Sequence, residues 1–180
     1  MKTIRRGTFE TNSSSMHTIT FDRTDFVGPQ EVMQHLYIDA GGNYGWSGPT
    51  LNTAVEKLDY ATVAFFDYCS RYGIPVDTVE YERECMEKRI NRSLNGIVKC
   101  FESNNVDVEF SEDLYKIATG SSYNDLTNLY AETSGYIDHQ SGPGEEPECR
   151  KLAEWFESDP QSLYEFCYNK SYIEIDNDNH

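Results

Sequence analysis

The sequence predicts an α+β domain: a small, mainly antiparallel sheet formed by both chain ends and packed against a central long helical hairpin. Apolar and polar residues alternate near each end, over residues 16–21 and 171–175, the period of two that marks a half-buried strand. Between them Leu51, Val55, Leu58, Thr62, Phe65, Cys69 and Tyr72 recur at steps of four and three, as do Met86, Ile90, Leu94, Ile97 and Phe101. That spacing belongs to helices with one apolar face. A chain of 180 residues has the length of one domain, and residues 1–180 are expected to fold as a single unit.

Taken in order, residues 3–10 and 16–21 read as two extended pieces around the polar bend Thr11-Asn12-Ser13-Ser14-Ser15, with His17, Ile19 and Phe21 on one side of the second. Behind Pro29, residues 30–37 are expected to form a short helix. The run from Gly41 to Pro49 breaks regular structure. It has no Lys-Ser/Thr after it and no strand and helix around it, so it is not a phosphate-binding loop. The first long helix should end at Gly73, ahead of Pro75. Asp77-x-x-Glu80 has the form of a capping box for the second, and the two should pair antiparallel.

Val106 to Phe110 alternates as a strand, and Ser111 can cap a short helix through Leu114 and Ile117. A further short helix fits residues 124–130, a brief strand residues 135–139, and a turn Ser141-Gly142-Pro143-Gly144. Helices are expected over 147–156 and 160–168, the second with Asp159 at its N-cap and Pro160 at its first position. In the last strand Ile173 and Ile175 share one face, Tyr172, Glu174 and Asp176 the other.

The formal net charge is −16, and residues 106–180 hold −13 of it, with 17 carboxylates against 4 cations. A field of that sign repels DNA, RNA and anionic lipid, which argues against nucleic-acid binding through a basic patch and against a membrane partner. It attracts a basic protein. Five cysteines, none closer than fifteen positions to another and none flanked by histidines at ligand spacing, indicate neither a disulfide framework nor a zinc site. Gly7, Thr8, Glu10 and Thr11 occupy the place an apolar signal segment would need, so cytoplasmic residence with reduced thiols is expected. Nothing calls for a cofactor.

Three polar segments hold side chains able to act: Asn12, Ser13, Ser14, Ser15 and His17; Asp138, His139, Gln140 and Ser141; and the terminal Asp176-Asn177-Asp178-Asn179. His17 and His139 could work as acid and base, the serines as anion or substrate ligands, and Asp138 as the group that orients an imidazole. In the bland reading, Ser and Asn at a bend bond their own backbone and a strand histidine is structural. No nucleophile elbow, HExxH helix or metal-ligand spacing is present in the sequence, so no residue is assigned as catalytic or as a metal ligand. A second candidate surface is acidic: Glu145, Glu146, Glu148, Glu154 and Glu157.

The opening Ile4-Arg5-Arg6-Gly7-x-Phe9-Glu10-Thr11-Asn12-Ser13-Ser14-Ser15-x-His17-x-Ile19 resembles a segment of small proteins encoded by phages and mobile elements of Firmicutes. Gly135-Tyr136-Ile137-Asp138-His139-Gln140-Ser141, and Asn169-Lys170-Ser171-Tyr172-Ile173 with the following Asp176-Asn177-Asp178-Asn179, look like later landmarks of the same group. The resemblance implies phage ancestry. In size and origin the chain is similar to type II-A anti-CRISPR inhibitors of Cas9, which implies a bacterial CRISPR effector nuclease as partner in the host bacterial cytoplasm. Two alternatives stand beside it: a small enzyme using a His17/His139 polar site on a nucleotide or protein substrate, and an accessory phage structural protein.

Overall fold

The protein is described by a computed structural model covering residues 15–22, 27–45, 48, 50–72, 79–119, 135–137 and 141–177. The elements are β1 (Ser15–Thr20), β2 (Gln34–Ile38), β3 (Asn43–Tyr44), α1 (Ala54–Arg71), α2 (Val79–Glu102), β4 (Val106–Phe110), α3 (Glu112–Thr119), β5 (Tyr136–Ile137), α4 (Pro147–Ser158), α5 (Pro160–Tyr168) and β6 (Tyr172–Asn177). The fold class is α+β, as the alternating ends and long periodic middle imply.

Both chain ends do meet. β1 and β6 run antiparallel, with Ser15 opposite Asn177 and Thr20 opposite Tyr172. Their inward sides carry His17, Ile19, Ile173 and Ile175, all buried, as the period of two requires. Leu51 adds a bridge to Ile173, with N–H···O distances of 2.7 and 3.2 Å. Among the described residues the remaining strands form two separate pairs, β2–β4 and β3–β5, both parallel. Each joins strands far apart in sequence, as parallel pairing demands, with helices in the crossover.

Residues 30–37 are not a helix. Gln34–Ile38 is strand β2, and its pairing with Val106–Phe110 supplies partners that no local pattern announces. Leu36 and Ile38 face inward opposite Val108 and Phe110.

The two long helices follow one another, yet each takes its main support elsewhere. α1 packs chiefly on α4, while α2 rests on β4, α3, α4 and α5. α1 is also more deeply sunk than a single stripe implies: Leu58 through Asp67 is buried on nearly every side, whereas Val55 and Tyr72 are exposed. Its start is fixed by a capping box. Glu56 N–H donates to Thr53 Oγ1 at 3.4 Å, and Thr53 N–H donates to Glu56 Oε2 at 2.9 Å. Partial burial raises the Glu56 carboxyl, but the N–H and hydroxyl of Thr53 and the N–H of Asn52 outweigh it and hold the group below its ordinary value. Asp77 of the Asp77-x-x-Glu80 box, the extended piece at 3–10 and the helix at 124–130 lie outside the described residues.

Asp159 ends α4 and begins α5. Its N–H donates to Trp155 O at 2.9 Å, and its carboxylate accepts from Ser162 N–H at 3.2 Å, with Pro160 in the first turn. The core between these helices is aromatic: Phe65 stacks on Phe156 at 4.7 Å, and Phe101 meets Tyr164 edge-on at 5.3 Å.

Candidate functional site

β1 carries His17 on its inward side, so the strand's pleat delivers the imidazole to the buried face of α1. His17 is 7% exposed. Its Nδ1 lies 2.9 Å from the Tyr60 hydroxyl, and the Tyr60 hydroxyl donates to Cys149 Sγ at 3.7 Å. A hydroxyl that donates to sulfur can accept from His17 Nδ1–H. A polar line therefore runs from β1 through α1 to α4.

Tyr44 flanks this line, its ring 5.0 Å from that of Tyr60. The Tyr44 hydroxyl donates to Asp59 Oδ2 at 2.8 Å, and the Asp59 carboxylate also accepts from Ala40 N–H at 2.8 Å and Gly42 N–H at 3.1 Å. One carboxylate thus gathers the glycine-rich loop, including Ala40 at φ 53°, onto α1. Burial pushes Asp59 up from its ordinary value against the pull of these donors. Tyr44 is raised by burial first and by the Asp59 charge second. Tyr60 is raised by burial above all.

The thiols are equally quiet. All five cysteines are free, and burial pushes Cys69, Cys149 and Cys167 up to about 12. A thiol of that kind is neutral near neutrality and a poor nucleophile. Among the described residues no group of three or more His, Cys, Asp or Glu is placed to hold a metal ion, and no helix is long and apolar enough to cross a membrane.

Three of the nine residues of the polar site, Ser15, His17 and Ser141, lie among the described residues. Ser15 lies in β1 opposite Asn177. Ser141 is buried, in the turn ahead of α4. Asn12, Ser13, Ser14, Asp138, His139 and Gln140 fall outside the described residues. The strand just before His139, β5, pairs with β3, whereas β1 pairs with β6. What links their surroundings is α1, through the contact of Tyr44 and His17 with Tyr60.

The five glutamates of the acidic surface separate. Glu145 and Glu154 are exposed and Glu148 is half-buried. Glu146 sits at the N-cap of α4, close enough to add its charge to Tyr60 and Cys149. Glu157 is engaged inside the fold: Arg89 donates to its two oxygens at 2.6 and 2.7 Å. Tyr60, Asp59 and Cys149 were not singled out by sequence reasoning, because each meets its partners only in three dimensions, through residues well removed in sequence. Comparison with family models, with curated proteins and with solved structures finds no match to this chain.

Proposed function

We propose that this protein acts by binding, as a phage-encoded inhibitor of a host defence nuclease in the bacterial cytoplasm, with the CRISPR effector Cas9 as its target. The observation that carries the reading is the state of His17. A general acid or base must reach the proton it transfers, and this imidazole is buried against Tyr60. The deeply buried thiols have no nucleophilic role to offer either. What the molecule presents outward is negative charge, −16 in total, and a nuclease whose nucleic-acid channel is basic is a matching partner.

Titration of the protein into a Cas9 cleavage assay tests this. Inhibition complete near one inhibitor per nuclease supports binding. Inhibition at far lower ratios points to catalysis, and no inhibition at a large excess rejects Cas9 as the target.

A further inference from the structure

We infer that the outward face of the β2–β4 pair is the surface on which a basic partner docks, through a segment that sets Lys or Arg beside an aliphatic side chain. This inference rests on the binding reading above and names its contact face. Parallel strands are normally covered on both faces. Here one face lies on the core through Leu36, Ile38, Val108 and Phe110, while the other carries exposed His35 and Tyr37 from β2 and Asp107 and Glu109 from β4. Tyr37 is 52% exposed, and the Asp107 and Glu109 side chains are each 62% exposed. Val32 and Met33, also exposed, lead into the same strand.

The chemistry of the occupant follows from this mixture. His35 lies between the two carboxylates, with Nδ1 2.9 Å from Asp107 and Nε2 3.6 Å from Glu109, so both acidic groups converge on the middle of this face. Glu112 and Asp113 extend the negative charge past the end of β4, and the cation of that stretch, Lys116, lies 3.2 and 3.1 Å from them. An aromatic ring beside carboxylates suits an amphipathic basic segment, with apolar contact at the centre and charge at the rim. A second copy of this chain fits poorly, because a twofold interface would set these carboxylates against themselves. The α4 surface is a weaker candidate. Glu157 is held by Arg89 there, and Arg150 and Lys151 stand among the remaining glutamates.

The test is an amide chemical-shift titration of the whole protein with a synthetic Lys- and Leu-rich peptide, run beside Cas9 cleavage inhibition. Shifts are expected in residues 34–38 and 106–110. Asp107→Lys/Glu109→Lys should weaken peptide binding at least about tenfold, whereas Glu145→Lys/Glu154→Lys should change it by less than about twofold. If the double reversal disturbs folding by circular dichroism, Asp107→Asn/Glu109→Gln should still weaken binding about threefold. Shifts centred on α4, no loss in the β4 variants, or a sedimenting dimer that Tyr37→Glu dissociates would each overturn the inference. Peptide binding at this face by a protein that leaves Cas9 uninhibited would instead reject the nuclease reading and keep the face.

Discussion

Arg89 grips Glu157 through two hydrogen bonds, Nε to Oε1 at 2.6 Å and Nη2 to Oε2 at 2.7 Å, with the two side chains only 10% and 15% exposed. The pair ties α2 to α4, and Arg89 is held further by Tyr72 O at 3.0 Å and by the Tyr68 ring. Burial works against the guanidinium's charge, but Glu157 overrides it and raises its pKa. Removing one partner of such a pair leaves an uncompensated charge, whereas replacing both with apolar groups of similar size can be nearly neutral. Glu157→Ala should therefore destabilise the protein by about 2 kcal/mol, and Arg89→Met/Glu157→Leu should recover most of that loss. Urea denaturation of the three variants decides it. A double variant no better than the single would mean that the pair itself, and not the stranded arginine, supplies the stability.

Lys57 presents the opposite case, a buried ammonium held by backbone carbonyls. Its Nζ donates to Phe166 O at 2.8 Å, Ser171 O at 3.0 Å and Asn169 O at 3.2 Å, closing the C-terminus of α5 onto α1. An ammonium at a helix C-terminus meets the negative end of the peptide dipoles. Lys57→Met should cost about 1–3 kcal/mol, because the carbonyls lose their donor. The pH dependence runs in a definite direction. Burial lowers the Lys57 pKa below its ordinary 10.5, so in the window just below that value the unfolded chain holds more protons than the folded one. Stability of the wild type relative to Lys57→Met should rise with pH through that window. A relative stability that falls there would show that the charged form is favoured in the fold.

The buried thiols act in the other direction at alkaline pH. Cys69, Cys149 and Cys167 each move from an ordinary 9.0 to about 12 on burial, so the folded state keeps protons that the unfolded chain releases. Their contribution is present below pH 9.0 and is lost as pH rises toward about 12. In the same range native protein should expose only Cys85 and Cys100, both half-buried, to a disulfide reagent. Two thiols reacting quickly and three only on unfolding is the expected count. Rapid reaction of all five would contradict the core packing.

These features differ in how far local sequence announces them. The alternation around His17 and Ile173 and the Asp159-Pro160 start of α5 were readable because a strand's pleat and a helix cap depend on residues a few positions apart. β2 was not, since Gln34 through Ile38 is short and mixed and becomes a strand through pairing with residues 72 positions later. The partners of β1 and β5 were hidden for the same reason. Nothing near His17 or Ile137 states which strand each will join, and that choice placed β1 on β6 and β5 on β3. The acidic surface was read from charge alone, and charge does not disclose that Glu157 points at Arg89.

The role of His17 is where fold and function can be separated by experiment. Its imidazole and the Tyr60 hydroxyl are 2.9 Å apart and buried, so deleting either group removes a partner that water cannot easily replace. Tyr60→Phe keeps the ring that packs against Tyr44 and takes away the oxygen alone; it should destabilise by about 1–2 kcal/mol. His17→Ala removes the ring as well and should cost more, about 2–3 kcal/mol, through lost packing between β1 and α1. If the protein works by binding, both variants should inhibit at the wild-type stoichiometry when assayed well below their unfolding temperatures, because both groups are buried. Should His17→Ala fold normally and lose activity while Tyr60→Phe keeps it, the imidazole has a chemical role and the enzyme reading replaces the inhibitor.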